Sequence, residues 1–322
     1  MSPIRAVVTG SSGFLGRAFA RALTERGDDV TGVDVAGGLP GAPWPTVRAD
    51  LAEPGAWQRE IAGADLVVHA AALVGEAGTV AAFERANVAA TRNVLDASAG
   101  AGRLLHLSSV VVHGRAFPDG VGEDGPMRMT GNPYTDTKIA GELAVLAAVM
   151  SGRVRATVIR PGDVYGPESA QWTVRAVEML RAGRFALVDG GRGVLSPVYA
   201  DDVVAGGLAA AGAAAGAGEI FHVTGGVGVS PRDFFGRYAA MLGVPLRAVP
   251  YPVAVAIAPV VAGLFRLAGR TPPLSGRTLE YVTHPGTYSV AKAARLLGWR
   301  PAVDLDAGME KTEAWLRATG RL

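Results

Sequence analysis

Residues Ile4 to Gly16 read I-R-A-V-V-T-G-S-S-G-F-L-G, and no other stretch limits the fold as much. An apolar run, Ile4 to Val8, leads straight into a loop with glycines at 10, 13 and 16. Phe14, Leu15, Ala18, Phe19, Ala22 and Leu23 then recur at three- and four-residue steps, the period of a helix. Strand, glycine loop and helix in this order form a cradle for a dinucleotide. Gly10 permits a tight turn, Gly13 leaves room for a pyrophosphate, and Gly16 lets the helix pack close to the strand. The free N–H groups and dipole at the helix start then face the phosphates.

The remaining composition excludes several alternatives. The chain has 322 residues, 49% hydrophobic and 19% charged, which suits one large domain or two interlocked ones and argues against global disorder. Formal net charge is +2, with no Lys/Arg cluster of the kind that reads phosphate backbones, so no nucleic-acid partner is expected. There is no cysteine, which removes disulfides, thiolate catalysis and Cys-ligated metals and fits a cytoplasmic location. The five histidines, 69, 106, 113, 222 and 284, show no paired spacing, and no metal site is expected. The chain enters its first strand at once, so no signal peptide is expected. Ala248 to Phe265 carries no charge but is interrupted by Pro250, Pro252, Pro259 and Gly263. A membrane span needs about 20 apolar residues. The segment reads as a buried or pocket-lining helix pair, or as a lid that admits an apolar substrate or touches a membrane surface.

Strands are expected at Asp29–Val33, Val47–Ala49, Asp65–His69, Arg103–Leu107 and Val154–Ile159, with a largely helical stretch from Val80 to Gly100. Their alternation with helices predicts an α/β fold, a doubly wound parallel sheet with ligands at the carboxyl ends of its strands. Asp34 stands at the end of the second strand, 18 residues beyond Gly16, where a carboxylate accepts hydrogen bonds from an adenosine ribose. It would repel a 2′-phosphate, and no Arg follows it, so NAD is favoured over NADP. The other reading of Asp34 is a strand-end residue capping a turn. Asp50, before Leu51, either bonds an adenine amino group or caps the next helix. Ala70, Ala71 and Ala72 let the backbone pass close to the cofactor, while His69 reads as a satisfied core residue.

Tyr134 and Lys138 lie four apart in N-P-Y-T-D-T-K-I-A-G-E, so a helix places them on one face. A phenol of pKa about 10 is a poor base at neutral pH. A nearby ammonium and an oxidised nicotinamide would both favour the phenolate. Ser109, delivered by the end of the Arg103–Leu107 strand, can hold the substrate oxygen while hydride moves between carbon and nicotinamide.

These stretches together resemble the extended short-chain dehydrogenases/reductases, also called the NAD-dependent epimerase/dehydratase family. The resemblance runs through T-G-S-S-G-F-L-G (9–16), H-A-A-A (69–72), N-V-A-A-T-R-N-V (87–94) and L-S-S-V-V-V-H-G (107–114). It continues with Y-T-D-T-K (134–138), R-P-G-D-V-Y-G-P (160–167), V-Y-A-D-D-V (198–203) and Y-S-V-A-K-A-A-R-L-L-G-W-R-P (288–301). It implies Ser109, Tyr134 and Lys138 as catalytic residues, with Tyr134 and Lys138 also on the cofactor and Lys138 on the nicotinamide ribose. It implies a Rossmann cofactor site built from Gly10, Ser12, Gly13, Phe14, Leu15 and Gly16, then Asp34, Asp50 and Leu51. Ala70, Ala71, Ala72 and Asn87 follow, and Pro161, Gly162 and Val164 lie beside the nicotinamide. The implied units are a dinucleotide-binding domain of residues 1–167 plus 196–228, a substrate lobe of 168–193 plus 230–301, and a closing helix within 302–322. Family members often dimerise through the Tyr-Lys helix and the helix before it.

Departures from the family pattern narrow the reaction. Val110-Val111 follows Ser109 where dehydratases carry Asp-Glu, Leu195 stands where epimerases grip diphosphate with Arg, and Asp163 replaces a frequent Asn. The segment Ser196–Val203 and the apolar stretch after Pro250 are closer to the hydroxysteroid dehydrogenase and dihydroflavonol reductase branches. His113 replaces a frequent Tyr and either faces substrate or bonds backbone at its turn. The expected activity is NAD-dependent interconversion of alcohol and ketone on a fairly apolar small molecule. The alternatives are a sugar-nucleotide epimerase using the same three residues and a catalytically idle NAD-binding protein.

Overall fold

A computed structural model describes residues 2–75, 78–114, 116–267 and 276–322. Parts of the units expected above, residues 1, 76, 77 and 115 in one and 268–275 in the other, lie outside the described residues. In chain order the strands are β1 (Arg5–Thr9), β2 (Asp29–Asp34), β3 (Thr46–Arg48), β4 (Leu66–His69), β5 (Arg103–Leu107) and β6 (Ala156–Pro161). They continue with β7 (Asp163–Tyr165), β8 (Ala186–Val188), β9 (Pro197–Tyr199), β10 (Ile220–Val223) and β11 (Arg247–Val249). Seven of them form one parallel sheet in the order β10-β6-β5-β4-β1-β2-β3. From β1 the chain builds outward to β3, then returns and builds the other way from β4. The strand order therefore reverses between β1 and β4, which opens the crevice where such sheets bind ligands.

Helices cover both faces of this sheet, and its strands are apolar on both sides as that requires. Val8, Val68, Leu105 and Ile159 pack on one face with Phe19, Leu23, Val203 and Phe221. Their chain neighbours Val7, Val67, Leu104 and Val158 pack on the other with Ile61, Val94 and Val145. A separate core joins Tyr165, Val177, Leu180 and Leu187 to Phe234, Tyr238, Met309 and Leu316. The last two belong to the helix Leu305–Ala318. Asp202 fastens the chain leading into that helix, because its carboxylate accepts the N–H groups of Ala302 (2.9 Å) and Val303 (3.0 Å).

The Val80–Gly100 stretch is helical with interruptions. An α-turn, Val80–Phe83, passes into a π-segment, Glu84–Ala89, and then into α-helix again over Ala90–Ala97. The apolar stretch near residue 250 departs from the buried helix pair expected of it. There is one helix, Tyr251–Leu267, and among its described side chains Ala254, Ala258 and Ala262, spaced four apart, are the buried ones. Val253, Ile257 and Val260 on its other sides are exposed. Ala254 and Ala258 pack with Val188 and Leu279, a narrow alanine stripe that leaves the larger exposed side chains outside this core. Among the described residues no helix is long and apolar enough to cross a membrane.

The glycine loop shows why two of its positions admit no side chain. Gly10 has φ +70° and lies against the backbone of Ala71, where a Cβ would come within 2.7 Å. A Cβ on Gly16 would overlap the Gly10 carbonyl. Gly16→Ala is therefore expected to destabilise the fold by about 1–3 kcal/mol, the usual cost of overpacking. Gly212→Ala, at a helix end with nothing within 4 Å of the added carbon, is expected to change stability by less than about 1 kcal/mol. Urea unfolding of the two variants checks the contrast.

Candidate active site

Ser109, Tyr134 and Lys138 come from two elements that meet at the end of β5. Asn132 starts the helix Pro133–Met150 by accepting the Tyr134 N–H on its side-chain oxygen (2.9 Å), and Pro133 supplies its first turn. One turn on, the Lys138 ammonium donates to the Leu107 carbonyl, the last residue of β5 (2.5 Å). Ser109 follows in extended conformation, its Oγ accepting from the Val111 N–H (3.3 Å). The Ser109 side chain also lies close enough to the Tyr134 phenol to lower its pKa by hydrogen bonding.

The electrostatics differ from the expected ammonium–phenol coupling. Burial raises the Tyr134 pKa, and the hydrogen bond with Ser109 only partly opposes it. Burial also pulls Lys138 down to about 8, with Glu142 acting the other way. The reason is geometric: Lys138 is pinned to a backbone carbonyl of β5, and both groups are held away from water.

Most of the residues expected to hold a cofactor sit at or just beyond the carboxyl ends of β1, β2, β3, β4 and β6. Gly13 begins the helix Phe14–Glu25 with no side-chain cap, which leaves its first-turn N–H groups for a ligand. Phe14 and Leu15 lean on the core beneath. Asp34 both caps its turn and braces the loop. It accepts from the N–H groups of Ser12 (2.9 Å) and Ala36 (2.8 Å), and the Ser12 hydroxyl bonds the Gly37 carbonyl (2.5 Å). Asp50 does not cap a helix, because the next one begins only at Gln58. Its carboxylate accepts from the Ala52 N–H and from Arg85 (each 2.9 Å), which lowers its pKa, while neighbouring Leu51 is buried. Gly10 abuts Ala70 and Ala71, so the two loops leave the sheet side by side. Asn87, buried in the π-segment, binds both backbone groups of Leu73 and the Thr137 hydroxyl (2.7, 3.1 and 3.0 Å). It thus ties the loop after β4 to the Tyr-Lys helix. Pro161, Gly162 and Val164 end β6 and open β7, with Gly162 packed against the Ser196 carbonyl.

A buried polar network beneath these residues was not legible in the sequence. Arg160 on β6 is 1% exposed and pairs with Glu142 on the Tyr-Lys helix, the closest contact being 2.6 Å. Glu142 also accepts from Ser108 (2.5 Å). Arg160 further donates to the Glu123 carbonyl (2.9 Å) and to His113 Nε2 (3.1 Å). His113 is fully buried and faces this network, not a substrate, and its Nδ1 donates to the Pro126 carbonyl (2.9 Å). His222 lies 2.9 Å from the same Nε2 and 3.2 Å from the Ser289 carbonyl. With both rings neutral, His222 has one ring proton and donates to one of these two partners only. Burial accordingly depresses them to about 4 for His113 and about 3 for His222. His69 is a satisfied core residue, held by Thr9 (2.8 Å) and Thr91 (3.0 Å). Leu195 points into the second core and bridges Val229.

The chain is similar to known proteins along almost its whole length. Residues 6–224 match the model of the NAD dependent epimerase/dehydratase family. The 2-alkyl-3-oxoalkanoate reductase of Stenotrophomonas maltophilia (strain K279a) is 32% identical over 97% of this chain and 99% of its own. The 4-hydroxy-2-methyl-3-oxo-4-farnesyl-3,4-dihydroquinoline-1-oxide ketoreductase of Stigmatella aurantiaca is 31% identical over 95% of each. A double mutant of the dTDP-glucose 4,6-dehydratase DesIV from Streptomyces venezuelae, solved with NAD and DAU bound, superposes with TM-score 0.78 at 25% identity. That superposition covers 98% of this chain and 97% of that one.

Removing one partner of the Arg160–Glu142 pair leaves a buried charge uncompensated. Arg160→Met is therefore expected to destabilise the fold by about 3–5 kcal/mol, measured by denaturant unfolding.

Proposed function

The chain belongs to the NAD dependent epimerase/dehydratase family, and we propose that it interconverts an alcohol and a ketone on a fairly apolar small molecule, with NAD as the hydride carrier. The observation that carries this reading is the meeting of Ser109, Tyr134 and Lys138 at the end of β5. Two relatives of similar length are by name reductases of oxo compounds bearing alkyl or farnesyl groups.

The crevice fits NAD. Gly10 and Gly16 close the loop, the uncapped helix at Gly13 offers N–H groups to a pyrophosphate, and Asp34 at the end of β2 suits a ribose and not a 2′-phosphate. Bound NADH would supply hydride to the carbonyl carbon, and NAD⁺ would accept it in the reverse direction. In reduction the Tyr134 phenol gives its proton to the substrate oxygen, and Ser109 holds that oxygen by hydrogen bond. In oxidation the same phenol, deprotonated, receives the alcohol proton. Lys138 holds the nicotinamide ribose with its ammonium.

The sugar-nucleotide epimerase reading keeps the same three residues but loses its diphosphate grip. Leu195 is buried away from the site, and a carboxylate, Asp163, stands in the pocket. NADH retained through purification, seen by its absorbance, would favour that reading.

Tyr134→Phe is expected to lower kcat for reduction of apolar ketones by roughly 10²–10⁴-fold while NADH still binds. Steady-state NADH oxidation and fluorescence titration separate the two effects, and loss of NADH binding would refute the assigned role. Reduction needs a protonated phenol and a charged Lys138. Its rate should therefore hold below pH 8 and fall above it as Lys138 loses its proton near 8. Oxidation needs the phenolate, which burial holds above the ordinary phenol range, so its rise should come at higher pH than the fall in reduction, which pH–rate profiles in both directions will show.

A further inference from the structure

Asp163 opens β7 and is 3% exposed. One carboxylate oxygen accepts the Ser196 N–H (2.8 Å), and the other accepts the hydroxyl of Tyr281, on the helix Gly276–Val282. Asp163, Ser196, Tyr281, His284 and Tyr288 line one small cavity, and among the described residues its lining contains no Lys or Arg. Burial lowers the His284 pKa, so that ring adds no charge either. Asp163 comes two residues after the end of β6, the sheet neighbour of β5, whose end carries Ser109.

A tyrosine hydroxyl has one proton. In Tyr281 that proton is committed to Asp163. What the pair can offer a ligand is therefore lone pairs on both the phenol and the carboxylate. Such a wall accepts hydrogen bonds and donates none. An anion placed against the pair meets like charge, whereas a hydroxyl finds an acceptor.

We propose that the Asp163–Tyr281 pair selects a neutral substrate that turns a hydroxyl toward it, and excludes substrates presenting a carboxylate or phosphate there. This deepens the alcohol–ketone reading and rests on it. It also separates this chain from the relative named for oxoalkanoates, which are anions. Asparagine at 163 would invert the wall. Its amide oxygen still accepts the Ser196 N–H, its NH₂ donates to the Tyr281 oxygen, and the phenol proton is freed to point into the cavity. The backbone geometry and total number of hydrogen bonds stay the same, but the wall becomes a donor without charge.

Three probes of equal chain length test this: 1-hydroxyoctan-3-one, methyl 3-oxooctanoate and the 3-oxooctanoate anion. Each is titrated at pH 8 against the protein–NADH complex by fluorescence, and its turnover is followed by NADH oxidation. The hydroxyketone is expected to bind more tightly than the ester, and the acid at least about tenfold more weakly than the ester. In Asp163→Asn the acid should gain at least about tenfold relative to the ester. Equal binding of acid and ester by the unaltered protein overturns the proposal, as does failure of all three to bind. So does an Asp163→Asn variant that folds and binds NADH but weakens all three probes alike, since that marks a purely structural clasp. Binding in the expected order without turnover of any probe supports the selection and refutes the reductase reading instead.

Discussion

The ion pair between Glu142 and Arg160 holds the reactive corner of the molecule together. Glu142 sits one helical turn beyond Lys138 and two beyond Tyr134, so these three share a helix face. Arg160 belongs to β6, the neighbour of β5 in the sheet. Their bond fixes the Tyr-Lys helix against the strand ends that carry Ser109 on one side and Gly162 on the other. Ser108 enters the same carboxylate, so the residue before Ser109 is tied down directly. An isolated buried pair would cost more in desolvation than it returns. Here Arg160 also donates to Glu123 and His113, and Glu142 also accepts from Ser108, which makes the arrangement tolerable and stiff.

Much of the fold was legible because it is written in local patterns. The glycine spacing, the apolar runs of β1, β4 and β5 and the Asn132-Pro133 helix start each express a backbone requirement within a few residues. The parallel sheet followed from alternation alone. The boundaries moved by one or two residues, as at β6, where the strand runs on to Pro161. Asp34 was read as either a turn cap or a ribose acceptor. It caps its turn and braces the Gly10 loop, so its backbone role and its place in the crevice are compatible.

What was illegible depends on contacts across long stretches of chain. Asp163 and Tyr281 are 118 positions apart, and His113 and His222 are 109 apart. No periodicity links such residues, and a lone histidine in a turn carries no sign of which way its ring points. The V-Y-A-D-D-V segment was recognisable, but not the task of Asp202, which grips the backbone at Ala302 and Val303. The helix Tyr251–Leu267 was misjudged because apolar composition alone does not say which sides of a helix find a partner.

The same physical term governs both reactive groups. Removal from water favours the neutral form of any acid or base, so it raises the phenol and lowers the ammonium. The chain therefore presents a proton donor by default, with Ser109 as the modest counterweight. For the phenol to act as a base, an additional positive charge must arrive close to it, and an oxidised nicotinamide is such a charge. The direction of proton transfer is then coupled to the redox state of the carrier in the crevice. A reduced carrier leaves the phenol protonated, ready to complete reduction, and an oxidised one stabilises the phenolate that oxidation needs. In the proposed reaction the site would thereby match proton to hydride.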